Sequence, residues 1–187
     1  MYALNKGMIL TGDGILTDKA ILVDEGKISA LVSSSELSPS IHTIDLAGNF
    51  ISAGFIDLQL NGCGGVMFNT APSYATLQQM HHTNLRGGTT SFLPTLISDS
   101  DEQIRQGLAA TQEYMQKHTF QVLGMHLEGP YTNTKRKGIH PIDQLRTPSN
   151  QMIQWLSEQA PFLKKVTLAP EVNHWEHIRQ VANAGTT

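Results

Sequence analysis

Along the first fifty residues the apolar positions fall in short runs separated by glycine and polar turns. Met8-Ile9-Leu10 gives way to Thr11-Gly12-Asp13-Gly14, a turn-rich cluster. Ala20-Ile21-Leu22-Val23 and Lys27-Ile28-Ser29-Ala30-Leu31-Val32 flank Asp24-Glu25-Gly26, and two apolar runs around a glycine-containing turn signal a β-hairpin. His42-Thr43-Ile44-Asp45-Leu46 adds a further short strand. Residues 1–51 therefore predict a small β-sandwich or sheet.

From residue 52 the rhythm changes to strand alternating with helix. Strands are expected at Phe55-Ile56-Asp57-Leu58-Gln59-Leu60, Thr90-Ser91-Phe92-Leu93, residues 121–127 and residues 165–169. Helices are expected over residues 73–86, from Ser100 onward, over 151–159 and over 175–184, the last ending at Gly185. Ser100 with Gln103 three residues on suggests a capping box, and Ile104, Leu108 and Met115 keep to one face of the helix that follows. This alternation over residues 52–187 predicts an α/β fold with a parallel sheet and helical crossovers, and Thr186-Thr187 should begin a fifth strand. Pattern alone suits two architectures. One is the first four units of a (β/α)₈ TIM barrel, which takes roughly 250 residues when complete; the other is a flavodoxin-like sheet.

Composition narrows the function classes. A 40% hydrophobic and 16% charged chain of 187 residues can bury a core and is not a disordered polymer. A net charge of −3 advertises no basic face, so neither nucleic acid nor an anionic membrane is an expected partner. The single cysteine, Cys63, excludes an intramolecular disulfide and suits a reducing compartment. The N-terminus lacks a secretory leader pattern, and no apolar run approaches the roughly 20 residues of a membrane span. A cytoplasmic location is the resulting expectation.

Candidate chemistry gathers where strands are expected to end, because ligands of α/β folds sit beyond the carboxyl ends of parallel strands. Asp57, Gln59 and Asn61 are spaced by two and so share a strand face, and Gly62-Cys63-Gly64-Gly65 follows, where backbone could approach a ligand closely. The same row also suits a hydrogen-bonded strand end with a flexible loop. His126 and Glu128 share a face in His126-Leu127-Glu128-Gly129-Pro130. A carboxylate beside an imidazole can hold a divalent metal, although a glutamate at a strand end also serves as a cap or ion-pair partner. The loop over residues 131–146 carries Lys135, Arg136, Lys137, His140 and Arg146, which suit either a phosphate or solvent. Within it, Gly138-Ile139-His140-Pro141 places a histidine able to donate to substrate oxygens. Glu171, after Ala169-Pro170, is a further candidate with a loop-anchoring alternative. His42, His81, His82, His118, His174 and His177 fall on expected helices or linkers and read as surface residues. Cys63 has no obvious base partner, and the chain holds no Gly-x-Ser-x-Gly elbow, P-loop or dinucleotide fingerprint.

Taken together, residues 52–65, Thr89-Thr90-Ser91-Phe92-Leu93-Pro94-Thr95, His126-Leu127-Glu128-Gly129-Pro130, Lys137-Gly138-Ile139-His140 and Thr167-Leu168-Ala169-Pro170-Glu171 resemble the N-acetylglucosamine-6-phosphate deacetylases of the amidohydrolase superfamily. The likeness runs to the last residue, and its motifs are specific in combination. It implies a metal-dependent (β/α)₈ barrel, of which residues 52–187 form the N-terminal half. It also implies a small β-sandwich built from both chain ends. The implied reaction is hydrolysis of N-acetylglucosamine 6-phosphate to glucosamine 6-phosphate and acetate in amino-sugar catabolism, in a homodimer for full-length members.

By the same resemblance Glu128 is a metal ligand, and the metal polarises the acetamide carbonyl and acidifies its water. Ile139 and His140 contact the sugar, with Gln59, Asn61 and Cys63 also placed toward substrate. The remaining ligands, two histidines, and the aspartate general base are expected beyond Thr187, so no catalytic acid–base residue is expected within these residues. Most amidohydrolases carry His-x-His where this chain has Gln59 and Asn61. Neutral amides are poor zinc ligands, so one divalent ion is expected, with zinc the first choice and ferrous iron an alternative. The resemblance leaves a second reading, that of a catalytically inactive, truncated half-barrel that at most binds sugar phosphate.

Overall fold

The computed structural model describes residues 1–187, in two compact units, Met1–Ala53 and Gly54–Thr187. The first unit holds seven short strands: β1 (Tyr2–Asn5), β2 (Met8–Thr11), β3 (Gly14–Leu16), β4 (Lys19–Asp24), β5 (Lys27–Ser33), β6 (Thr43–Asp45) and β7 (Phe50–Ile51). They form one sheet in the order β5-β4-β1-β6 and another in the order β3-β2-β7. Ile9 from the second sheet is buried in one cluster with Ile21 and Val23 from the first. The expected hairpin is β4–β5, and its two-residue turn sets Glu25 at φ 49° and Gly26 at φ 75°. Positive φ at both central residues matches the right-handed twist of the strands, which is why glycine is favoured there. Strand β1 was not among the expected elements: its inward residues, Ala3 and Asn5, are too small or polar to register as an apolar alternation.

The second unit begins with β8 (Phe55–Leu60) and a small hairpin, β9 (Gly62–Cys63) and β10 (Val66–Met67). Then follow α1 (Tyr74–Leu85), β11 (Thr89–Ile97), α2 (Asp101–Lys117), β12 (Met125–Glu128), α3 (Asn150–Glu158), β13 (Leu163–Thr167) and α4 (Trp175–Asn183). Four of these strands make a parallel sheet in the order β13-β12-β11-β8. Each strand therefore lies beside its predecessor, with no reversal. A flavodoxin-like sheet would place its first strand between the second and third, so that alternative is excluded. One sheet face buries Phe92, Leu96, Met125 and Leu127 against Leu77, Ile104, Leu108 and Leu156 of the helices. At about 1.5–3 kcal/mol for each large apolar side chain, this layer is the main driving force for the unit.

Local chemistry fixes the helix starts. Ser73, Ser100 and Ser149 each accept a backbone N–H from three residues on, at 3.2, 3.2 and 3.1 Å. The capping box at Ser100 is only half present. The Gln103 side chain donates to the Asn69 carbonyl instead, and the Asp99 carboxylate takes the Ser100 N–H at 2.8 Å.

Two strands differ from expectation for identifiable reasons. β11 continues through Pro94 to Ile97, because its pairing with β8 slips between Phe92 and Pro94, and an irregularity tolerates the missing N–H. The stretch at 121–127 is not one strand: Gly124 turns at φ 137°, leaving Val122 in an isolated bridge with Phe92 before β12 starts at Met125. The expected fifth strand has a counterpart in Thr187, whose N–H reaches the Lys164 carbonyl at 3.0 Å and whose carbonyl accepts from Val166 at 2.8 Å. At the other edge, Phe55, Ile56 and Leu58 of β8 are all exposed, so apolar groups meet solvent on both faces. No helix is long and apolar enough to cross a membrane.

Candidate active site

The parallel arrangement brings the carboxyl ends of β8, β11, β12 and β13 to one side of the sheet. Glu128 is the last residue of β12, opposite Ile97 of β11 and Thr167 of β13. Its half-buried carboxylate accepts no hydrogen bond, and His140 Nε2 lies 3.9 Å from Oε1. His140 comes from the loop after β12 and is buried. Ser98, just past β11, holds it: the Ser98 Oγ lies 2.7 Å from Nδ1, and the Ser98 N–H points at the same nitrogen from 3.4 Å. A backbone N–H can only donate, so Nδ1 accepts and the proton sits on Nε2, facing Glu128. Lys137 closes the loop by donating Nζ to the carbonyls of Gly138 and His140, both at 3.2 Å. Gly129, at φ 80°, is required where these elements meet, since a Cβ there would overlap the Ser98 hydroxyl.

His126 has a different role from its neighbour two residues on. It is fully buried, with Nδ1 3.2 Å from Thr95 Oγ1 and Nε2 2.8 Å from Thr167 Oγ1. Thr95 spends its proton on the Leu93 carbonyl, so Nδ1–H donates to Thr95 and Nε2 accepts from Thr167. Burial, and secondarily the Lys165 charge, pushes the imidazole pKa down to about 4, which keeps it neutral. The pairing of His126 with Glu128 as two metal donors is corrected accordingly: the imidazole cross-braces β11, β12 and β13 with both nitrogens occupied.

On β8, Asp57 turns back to accept the Gln59 N–H at 2.9 Å, whereas the side chains of Gln59 and of Asn61, just past the strand, make no hydrogen bond to the protein. Cys63 lies on the hairpin, and its thiol donates to the Met80 carbonyl of α1 at 3.4 Å, with Asn84 Oδ1 at 3.8 Å. Burial raises its pKa, and Asp57 adds to this, so it is a poor thiolate. The glycines after it make the β9–β10 turn, with Gly64 at φ 66° and Gly65 at φ 82°. Ile139 is 83% exposed beside buried His140.

Of the loop cations, Arg146 is tied to the Asp99 carbonyl and the Asp101 carboxylate, and Lys137 to carbonyls, while Lys135 and Arg136 are exposed. Glu171 is exposed and accepts from Asn133 at 2.8 Å, a bond that lowers its pKa and fits the loop-anchoring alternative. His81 is not on the surface as expected: it is buried against Tyr114, whose hydroxyl lies 3.2 Å from its Nδ1. Ser98, Thr95, Thr167 and Asn69 were not singled out by sequence; Asn69 bonds both the N–H and the carbonyl of Ile97. Isolated serines, threonines and asparagines carry no signal until the strand register is known. No three histidine, cysteine, aspartate or glutamate side chains converge into a metal-binding group. Glu128 thus offers a carboxylate with only His140 close by, short of a three-residue metal-binding group.

Residues 1–51 match the family model described as NagA composite domain, and residues 50–178 match the model described as Amidohydrolase family. An N-acetylglucosamine-6-phosphate deacetylase of Haemophilus influenzae is 45% identical over 91% of this chain and 45% of its own length. An N-acetylgalactosamine-6-phosphate deacetylase of a Shewanella species is 34% identical over 99% of this chain and 48% of its own length. The crystal structure of N-acetylglucosamine-6-phosphate deacetylase from Pasteurella multocida superposes with a TM-score of 0.96 at 42% identity, covering 99% of this chain and 49% of that one. The chain spans about half the length of the curated relatives it matches.

Proposed function

The chain belongs to the amidohydrolase family, and from that premise we propose that it supplies the N-terminal half of a metal-dependent (β/α)₈ barrel that deacetylates an N-acetylhexosamine 6-phosphate. N-acetylglucosamine 6-phosphate is the first choice of substrate, since the relative acting on it has the higher identity of the two described above. The winding order of β8, β11, β12 and β13 is that of successive barrel strands, and the two sheets of the first unit suit part of a sandwich.

One observation carries this reading. Asp57, Asn69, Ser98, Thr95, His126 and Thr167 all spend their side chains on protein hydrogen bonds. Gln59 of β8, Asn61 just past it and Glu128 at the end of β12 spend none. Polar groups left unengaged at the carboxyl ends of parallel strands are available to a ligand. In this reading Glu128 supplies a metal oxygen donor, and Gln59 and Asn61 orient substrate or water. His140 donates its Nε2 proton to a sugar oxygen, Ile139 lends an apolar surface, and Cys63 lines the approach without reacting. A single divalent ion is proposed because the neutral amides of Gln59 and Asn61 are poor ligands for a second one, and zinc is taken first from the family resemblance. Its other ligands are not among the side chains gathered at Glu128, and no chemical step is assigned through it.

A second reading is favoured by that lone donor: these 187 residues hold sugar phosphate without turning it over. Acetate release separates the two readings. The chain is incubated with zinc and either N-acetylglucosamine 6-phosphate or N-acetylgalactosamine 6-phosphate. Release that disappears in Glu128→Gln supports the enzyme; absence of release, with activity in a longer polypeptide containing these residues, supports the second reading. Release unaffected by Glu128→Gln would overturn the assignment of Glu128.

A further inference from the structure

Strand β8 pairs with β11 only as far as Leu60 opposite Pro94, yet β11 runs on to Ile97. Over these last residues β11 keeps β12 on one side, with Ile97 opposite Glu128, and has no paired strand on the other. The Asn69 carboxamide fills that place. Its Oδ1 accepts the Ile97 N–H at 2.9 Å, and its Nδ2 donates to the Ile97 carbonyl at 3.2 Å. One side chain thus takes both backbone groups, as a neighbouring strand would. Without it the strand end would carry two open backbone groups.

Asn69 Nδ2 also lies 3.3 Å from Asp99 Oδ2, so the carboxamide grips both residues that flank Ser98. Ser98 in turn presents its Oγ at 2.7 Å and its N–H at 3.4 Å to His140 Nδ1. Asn69 is itself well anchored. Phe68 before it is fully buried in the core and donates its N–H to the Asn61 carbonyl at 2.8 Å, and Gln103 donates to the Asn69 carbonyl at 3.3 Å.

We infer that Asn69 is a positioning residue of the site. By fixing Ile97 and Asp99 it aims Ser98 at His140 Nδ1, and so holds the Nε2 proton toward Glu128 and the sugar. This rests on the reading of His140 as a sugar contact, yet the coupling of Asn69 to His140 is measurable without ligand or turnover.

The test is the long-range ¹H–¹⁵N spectrum of the histidine side chains in the whole chain. It shows which nitrogen of each ring carries the proton and whether the other accepts a hydrogen bond. Asn69→Leu removes the amide contacts at similar size, so the His140 Nδ1 resonance should move toward that of an unbonded ring nitrogen. Ser98→Ala should move it the same way, whereas Ser98→Thr, which keeps the hydroxyl, should preserve it. Added to Ser98→Ala, Asn69→Leu should cause little further shift, because it acts through Ser98. Asn69→Gln sets the carboxamide one methylene too far and is a milder variant with a shift in the same direction. His126, held by Thr95 and Thr167, is the internal reference for folding and should stay in place. A His140 resonance that does not move in a folded Asn69 variant overturns the inference. Equal changes at His126 and His140 overturn it as well, since Asn69 would then merely hold the fold. Adding N-acetylglucosamine 6-phosphate and zinc to the unaltered chain tests the underlying reading separately. A His140 ring that does not respond would overturn the sugar contact and leave the coupling of Asn69 to His140 standing.

Discussion

Replacing Gly129 by alanine perturbs the junction of β11, β12 and the histidine loop with one methyl group. Two independent effects follow. At φ 80° an L-residue sits in left-handed backbone, at about 1–2 kcal/mol. The new Cβ also overlaps the Ser98 hydroxyl, which must leave His140 Nδ1 and abandon their 2.7 Å bond. The buried imidazole nitrogen then keeps only the long 3.4 Å approach of the Ser98 N–H, and losing the hydroxyl bond adds about 1–3 kcal/mol. The sum is a destabilisation of about 2–5 kcal/mol, large against an ordinary domain stability of about 5–15 kcal/mol.

Both tryptophans, Trp155 and Trp175, lie in the second unit, so urea unfolding followed by their fluorescence reports this region. The steric part can be isolated in a Ser98→Ala background, where no hydroxyl meets the new methyl. There Gly129→Ala should cost only the backbone share, and the difference between backgrounds should be about 1 kcal/mol or more. Equal costs in both backgrounds would refute the steric argument, and a total under about 1 kcal/mol would refute the backbone argument as well.

Thr167→Val keeps the shape of the side chain but leaves the His126 Nε2 lone pair unsatisfied; it should lose about 1–3 kcal/mol in urea unfolding, whereas Thr167→Ser should lose much less. Equal losses would mean that the hydroxyl is not the relevant group. His81 has its pKa lowered by burial first and by His82 and His118 next, so on acidification the unfolded chain takes up the proton before the folded one. Stability contributed by the neutral, buried ring is therefore complete well above pH 6.5 and declines as the pH falls below the unfolded value. His81→Gln should flatten the fall in unfolding midpoint between about pH 8 and pH 5.5, and parallel curves for the two proteins would contradict this. In the β9–β10 turn, a Cβ at Gly64 would overlap Thr83, whereas one at Gly65 meets open space. Since asparagine tolerates left-handed backbone, Gly65→Asn should leave thermal stability nearly unchanged, while Gly64→Asn should lower it by more than about 1 kcal/mol.

The elements most legible in the sequence were those whose signal is local. β8, three of the helices and the start of α2 were anticipated to within one or two residues, because helical periodicity and, for α1, α2 and α3, a serine cap act within a turn of the chain. Errors arose where a partner strand decided the outcome. Pro94 reads as a strand terminator until its slipped pairing with β8 is seen, and Gly124 reads as an ordinary strand residue until its φ of 137° is seen.

The same division runs through the candidate site. Glu128 and His140 were visible by residue type and spacing, but Ser98, which sets the tautomer of His140, lies 42 positions away and becomes its neighbour only through the sheet. His126 and Glu128 show most clearly why pattern stops short of chemistry. They share a strand face, differ by one step along β12, and carry equally plausible ligand atoms. At the first position Thr95 and Thr167 satisfy both ring nitrogens; at the second, no side chain hydrogen-bonds the carboxylate. Parallel register across three strands makes one of them part of the scaffold and leaves the other open to a ligand, and that register is a property of residues that lie far from both in the sequence.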